Sequence, residues 1–246
     1  MTVMLEVRDL SKRFGKVVTA DRISFSVEKG TALGVVGPNG AGKTTLLSMI
    51  SGVLPPDAGT IRFDGHDLRG EGAGRRAGLG ISRSFQIPRP FVDMTVFENV
   101  LVGAAYGGGH GGQDGYDAAA EALQITGLRR RANEPAGRLR LLDRKRLDLA
   151  RALATGPRLL LLDEIAGGLT ERELPPLIEL IQRLREQGVT IIWIEHIVHA
   201  LLAVVDELMC LAIGQILAMG EPRTVMSSPE VIETYLGSTV DVEESA

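Results

Sequence analysis

Cysteine is nearly absent from this chain: its 246 residues hold one, Cys210, so no internal disulfide can form. The run Leu208-Met-Cys-Leu-Ala-Ile213 around it is apolar, which reads as a buried structural thiol suited to a reducing cytosol. Positive charge is not in excess either. With 27 Lys and Arg against 31 Asp and Glu the net charge is −4, and no sequence-wide basic field recruits nucleic acid or an anionic membrane surface. A long uncharged apolar run is missing, because the window from His199 to Met219 is interrupted by Asp206 and Glu207, a poor membrane span. The first ten residues carry charges where an export signal needs an apolar core. There is no internal repeat, and 44% apolar residues supply one good core, as one domain or as a core with an inserted subdomain.

What is present is glycine, concentrated in one informative place. Gly37, Pro38, Asn39, Gly40, Ala41, Gly42, Lys43, Thr44 and Thr45 satisfy the pattern G-x-x-x-x-G-K-[ST], a P-loop. Glycines let successive backbone N–H groups curl round a β-phosphate, and the helix N-terminus that follows adds donors and partial positive charge. Lys43 then reaches the β/γ-phosphates and Thr44 offers its hydroxyl to Mg²⁺. The flanks agree: residues 31–36 are a short apolar run fit for a buried parallel strand, and residues 44–50 continue without a breaker until Gly52. The spacing of Gly37, Gly40 and Gly42 does not fit the dinucleotide loop G-x-G-x-x-G. A nucleotide with Mg²⁺ is the expected ligand.

Elsewhere, residues 3–7 and 23–27 alternate as half-buried strands of an antiparallel layer, with turns at Arg13-Phe-Gly-Lys and Glu28-Lys-Gly. A strand is expected at 59–63, before the Asp64-Gly65 turn. Residues 103–115 hold seven glycines and read as the most flexible internal segment. Residues 116–155 read as helical, 158–163 as a central strand and 189–194 as a second one. Residues 173–187 read as a helix that tolerates Pro175-Pro176 in its first turn. The stretches 208–213 and 215–219 form an expected hairpin through Gly214. Strands alternating with helices imply an α/β core with a parallel sheet.

A P-loop binds nucleotide; hydrolysis also needs an acid that orients the metal and a means of activating water. Leu159-Leu-Leu-Leu-Asp163-Glu164 has both. Asp163, at the carboxyl end of a buried strand, fits the acid that holds the Mg²⁺ shell, and Glu164 is the natural general base for a water in line with the γ-phosphate. Ile191-Ile-Trp-Ile-Glu195-His196 brings His196 to the same sheet edge, where ligands gather in open α/β folds, while Trp193 is most simply core.

These residues resemble, in order and over nearly the whole chain, the nucleotide-binding subunits of ATP-binding cassette (ABC) transporters. Phe14, in Leu10-Ser-Lys-Arg-Phe-Gly, looks like the aromatic that stacks on adenine; Gln86, in Ser82-Arg-Ser-Phe-Gln-Ile-Pro, looks like the glutamine that touches metal and water. Ala150-Arg-Ala-Leu153 leading into Asp163-Glu164, and then His196, complete the set; Phe91-Val-Asp-Met-Thr-Val-Phe-Glu-Asn-Val100 and the tail Pro229-Glu-Val-Ile-Glu-Thr-Tyr-Leu-Gly237 are more specific and resemble the branched-chain amino-acid importer branch. The resemblance implies a P-loop NTPase (RecA-like) α/β core with an antiparallel β layer, over about residues 1–87 and 158–246, and an inserted helical subdomain at about 88–157. It also implies head-to-tail dimers with a second ABC ATPase subunit, two ATPs at the interface, and closure on binding that drives integral-membrane permease subunits. An external solute-binding protein is engaged indirectly, and the chain sits in the cytoplasm, peripheral on the inner face of the cell membrane. Ile87-Pro-Arg-Pro-Phe91 is either a permease contact or a turn packed on its own domain.

One family motif departs. The signature Leu-Ser-Gly-Gly-Gln falls on Leu139, Arg140, Leu141, Leu142 and Asp143, where only the leucine survives. In the family its hydroxyl and glycine N–H groups face the γ-phosphate on the opposite subunit; leucines there hinder approach and Asp143 adds negative charge. Two readings are open: an asymmetric heterodimer whose second site is weak, or replacement of the lost donors by Arg140 or Arg144 acting as an arginine finger. The asymmetric arrangement is favoured. The contrasting function class is a soluble cassette protein acting on DNA or the ribosome, or an ATP-binding regulatory module; such proteins usually carry two cassettes or a long coiled-coil insertion, which this chain lacks, and Glu164 with His196 argues against a module without turnover.

Overall fold

The computed structural model describes residues 2–234. Two long strands, β1 (Val3–Phe14) and β2 (Val17–Glu28), pair antiparallel across the two-residue turn Gly15-Lys16, with Gly15 at φ 58°. Adding β4 (Ala58–Phe63) and β5 (His66–Asp67) gives a four-stranded sheet in the order β2-β1-β4-β5. Both hairpin strands run well past the expected 3–7 and 23–27, because register shifts in β1 let the pairing continue through the polar residues that break the alternation.

The second sheet positions the site. Its order is β10-β9-β3-β8-β7-β6, built from β3 (Ala32–Val36), β6 (Ile81–Arg83), β7 (Leu159–Asp163), β8 (Thr190–Ile194), β9 (Glu207–Ala212) and β10 (Gln215–Gly220). Strands β9, β3, β8, β7 and β6 run parallel, and β10 returns antiparallel through the 208–219 hairpin. Every residue of β3, β7 and β8 is buried, the mark of strands covered on both faces.

Alternation then divides the core. Leu159, Leu161, Ile192 and Ile194 join the cluster under the antiparallel sheet and α1 (Lys43–Ile50); Leu160, Leu162, Ile191 and Trp193 join the opposite one, against α6 (Leu174–Glu186) and α7 (Val198–Leu202). Full burial of each such side chain contributes about 1.5–3 kcal/mol, so these strands hold fixed whatever sits at their ends. Trp193 and Cys210 are fully buried.

A third cluster is helical, formed by α3 (Val96–Val102), α4 (Gly112–Ile125) and α5 (Leu141–Leu153), with Val100, Leu123 and Leu147 among its members. Here one expectation fails, and another segment holds helix that its composition did not suggest. Residues 116–155 are not one helical stretch: α4 and α5 are separated by 126–140, where Gly127 takes φ 74° and Arg129–Arg131 and Ala136–Arg138 make 3-10 turns. The glycine-rich 103–115 is largely helical: Gly103–Gly107 is a π-helical turn continuing α3, and α4 begins at Gly112. Some of its glycines serve close packing: a Cβ on Gly103 would stand 2.5 Å from the carbonyl oxygen of Arg151, whereas Gly109, Gly111 and Gly112 have open space.

The short α2 (Ala73–Gly78), α3, α7, α8 (Pro222–Met226) and β6 were not anticipated. For α3 a signal exists: Thr95 and Glu98 form a reciprocal capping box. Helix α6 does open through Pro175-Pro176. No helix among the described residues is long and apolar enough to cross a membrane. Of the tail Pro229–Gly237, residues 235–237 lie outside the described residues.

Candidate nucleotide-binding site

The segment 37–45 turns from β3 into α1 at the carboxyl edge of the parallel sheet. Gly37 (φ 148°) and Gly42 (φ 101°) are obligatory for two reasons: the backbone is left-handed, and a Cβ on either would lie 2.0 Å from a carbonyl oxygen, Leu211 O and Thr19 O respectively. Lys43 is 6% exposed and donates from Nζ to Gly37 O at 2.7 Å and Pro38 O at 2.9 Å. Burial lowers the pKa of its ammonium, and Glu164 and Asp163 oppose the shift.

Strand β7 delivers Asp163 and Glu164 to the same edge. Asp163 is 2% exposed; Thr44 Oγ1 donates to its Oδ1 at 3.4 Å and Arg83 Nη2 to its Oδ2 at 2.7 Å. Glu164 is left-handed at φ 48°, uncommon for a non-glycine residue, and its main-chain N–H donates to Ile194 O at 2.9 Å. That bend carries its carboxyl between two partners: Oε1 lies 2.6 Å from His196 Nε2, and Oε2 accepts a short hydrogen bond from Gln86 Nε2. His196 follows β8 and Gln86 lies a few residues beyond β6, so strands from three places in the sequence converge here.

Together they enclose a cavity of about 550 Å³, floored by residues 39–45 (Asn39, Gly40, Ala41, Gly42, Lys43, Thr44 and Thr45) and walled by Thr19, Gln86, Glu164 and His196. Gly37 and Pro38 lie under it as acceptors for Lys43, and Asp163 lies behind Thr44. Phe14, at the end of β1, is half exposed with Lys12 Nζ 5.6 Å from its ring centroid, and it does not line the cavity.

Arg83 and Thr19 were not singled out from the sequence. Arg83 touches Ser48 Oγ at 3.0 Å as well as Asp163, tying α1, β6 and β7 together; nothing in Ser82-Arg-Ser-Phe distinguishes it before the fold is known.

The segment 139–143 has a different character. Leu139 is buried and Leu141 is 46% exposed at the start of α5. Asp143 is paired with Arg131 at 3.3 Å and Arg146 at 3.8 Å, so its charge is largely neutralised within the subunit. Arg144 donates from Nε to Leu139 O at 2.8 Å and from Nη2 to Gly137 O at 2.9 Å. Arg144 is thus held by its own loop within the subunit, which leaves Arg140 the freer of the two guanidiniums. Arg140 caps α5 without a side-chain hydrogen bond and is exposed.

A parallel α/β sheet whose P-loop faces a strand-end Asp-Glu pair defines a P-loop NTPase. The chain matches the ABC transporter family model over residues 20–167. It belongs to that family and is an ABC ATPase subunit. It is 35% identical to the high-affinity branched-chain amino acid transport ATP-binding protein BraF of Pseudomonas aeruginosa, over 95% of this chain and 98% of that one. It is 34% identical to LivG of Escherichia coli, with the same coverage. Among solved structures, the ADP conformation of MJ1267, an ATP-binding cassette of an ABC transporter, superposes with TM-score 0.87 at 30% identity, over 96% of this chain and 100% of that one.

Proposed function

We propose that the chain hydrolyses ATP to ADP and phosphate to energise import of branched-chain amino acids or related small amide and amino-acid solutes. The observation that carries the chemistry is the placement of Glu164 between Gln86 and His196 at the mouth of the P-loop cavity. Glu164 accepts the proton of the attacking water, and His196 and Gln86 hold that carboxylate and the water in line. Residues 37–45 cradle the phosphates, Lys43 exchanging its two carbonyl partners for phosphate oxygens. Phe14 offers an exposed ring for adenine.

The residues present fit Mg²⁺: Thr44 Oγ1, Asp163 and Gln86 are hard oxygen donors, two of them already in contact. Bound there, the ion supplies neutralisation of charge on the β- and γ-phosphates.

The chain pairs head-to-tail with a second ABC ATPase subunit. The altered signature, with leucines in place of glycines and Arg144 turned inward, favours an asymmetric dimer: this chain's own site is completed by a conventional partner, and the site it completes is weak. Permease subunits dock in the groove where the helical subdomain (about 88–157) meets the core. That groove has a cavity of about 360 Å³ lined by Val53, Phe85, Tyr106 and Arg151, and Phe85, Ile87, Phe91 and Val92 are exposed beside it. Arg151 packs on the Phe91 ring at 5.0 Å and donates to Arg89 O at 3.0 Å, so the 87–91 segment is held on its own domain at one side and open on the other. Docking of this kind places the chain on the cytoplasmic face of the membrane.

ATP-dependent uptake of leucine, isoleucine and valine into vesicles holding the complex that co-purifies with the chain tests the reading. Competitive uptake of these solutes supports it; co-purification with nucleic acid, or ATP hydrolysis with no amino-acid uptake, contradicts it.

A further inference from the structure

Beneath Glu164 lies a layer of buried charge that the mechanism above does not use. Lys145, one turn into α5, is 6% exposed, Asp148 is 8% exposed and Glu195 is 1% exposed. Three ionisable side chains in a dry position are costly unless each is compensated, so their arrangement calls for a reason.

The contacts supply one. Glu195 ties two chain segments together: Oε1 accepts from Ala166 N at 2.7 Å, in the turn after Glu164, and Oε2 accepts from His196 N at 3.0 Å. Among the described residues the ammonium of Lys145 has one hydrogen-bond acceptor, the main-chain carbonyl of Glu164 at 3.4 Å. That carbonyl also accepts from Gly167 N at 3.2 Å. Glu164 is the residue whose backbone sits at φ 48°, a conformation that persists only where the surroundings over-determine it. Burial lowers the pKa of Lys145, against the fields of Glu195, Glu164 and Asp148; burial raises that of Glu195, against its two backbone donors, and Lys145 also opposes the rise.

We propose that Lys145 is a positioning residue for hydrolysis: its ammonium, together with the Glu195 carboxylate that ties the following turn to His196, holds the main chain of Glu164 in the bend that aims its carboxylate between Gln86 and His196. Because Lys145 rides on α5, the helix that begins at the altered 139–143 segment, displacement of α5 is felt directly at Glu164. One protomer thereby couples the helix end it presents outward to the carboxylate of its own site. The proposal rests on the reading of Glu164 as the base.

The test uses the full chain in the complex in which it turns over, with kcat, KM and equilibrium ATP affinity measured for Lys145→Met, Lys145→Arg, Glu195→Gln and the double variant Lys145→Met/Glu195→Gln. A misplacement of about 1 Å costs on the order of 100-fold in rate, so Lys145→Met is expected to lower kcat by roughly 10- to 100-fold with ATP affinity within about twofold. Lys145→Arg restores part of the loss. Glu195→Gln also lowers kcat but adds little in the Lys145→Met background, because the two act as a unit. If Lys145→Met does not fold, the Lys145→Arg and Glu195→Gln variants decide on the same kcat-against-affinity split. A wild-type kcat, equal losses of kcat and ATP affinity, or simple additivity in the double variant overturns the proposal. Glu164→Gln separates the two ideas: if it leaves turnover intact, the reading of Glu164 as base fails; if it abolishes turnover while Lys145→Met behaves as wild type, the positioning role alone fails.

Discussion

The carboxyl edge of the six-stranded sheet and the N-terminal end of α5 are the two places where the proposed function has nucleotide bind, and they are built in opposite ways. At the sheet edge, fully buried strands fix the end residues, and glycines with no room for a Cβ shape a concave wall of N–H groups and open side chains. At the start of α5 the polar groups turn inward: Arg144 binds carbonyls of its own loop, Asp143 pairs with Arg131 and Arg146, and Leu141 is left outside. A phosphate site needs donors around a cavity that admits the ligand; the first region lines one, while the second presents Leu141 and the exposed Arg140.

The largest effect that sharpens this contrast is expected from Gly42→Ala. The new methyl would overlap Thr19 O at 2.0 Å on a residue at φ 101°. Strain of about 1–3 kcal/mol and a similar overpacking cost of about 1–3 kcal/mol fall on the loop that binds phosphate. ATP binding, followed by titration, is expected to be lost, together with a lowered Tm. Binding at wild-type affinity would mean that the sheet-edge wall is not the phosphate cradle.

A smaller effect is expected at the other region. Returning Arg140→Ser, Leu141→Gly and Leu142→Gly in the assembled complex supplies the missing hydroxyl and close-approach N–H groups. Turnover should rise roughly twofold, because two sites then work where one did. An unchanged or lower steady-state rate would show that the present 139–143 segment is not impaired.

The smallest effect links the two regions. Asp148, on α5, accepts from Phe85 N at 2.7 Å, one residue before Gln86. Its carboxyl is pushed up to about 6, chiefly by burial and against the Phe85 hydrogen bond, Arg151 and Lys145. The folded value lies above the ordinary 3.8, so its contribution to stability is fully present below about 3.8 and is lost as pH rises through about 6. Asp148→Asn removes that loss. Relative to wild type it should gain on the order of 1 kcal/mol in unfolding free energy between pH 5 and pH 8, read from denaturant melts at both values. Parallel curves would place the Asp148 carboxyl in an ordinary environment.

The same contrast governs what was legible in the sequence. Buried parallel strands declare themselves as apolar runs, and a P-loop constrains residue type at each position, so Lys43, Thr44, Asp163, Glu164 and His196 could be found before the fold was known. The gap between α4 and α5 was less visible: Gly127 and Pro135 break a stretch whose composition is otherwise helical. The helical turns within the glycine-rich 103–115 were not legible because glycine serves close packing as well as freedom, as Gly103 against Arg151 O illustrates. Arg83, Lys145 and Glu195 act through contacts between distant elements, and no local spacing marks such residues.

The most direct measurement is Mg²⁺-dependent ATP binding and hydrolysis by the purified chain alone, beside its Glu164→Gln variant. ATP bound at the sheet edge, with turnover no higher than in Glu164→Gln, is the predicted result, since in the proposed asymmetric arrangement the end of α5 completes a second copy's site only weakly. Robust turnover that disappears in Glu164→Gln would contradict it and make the altered segment a working half of a catalytic interface.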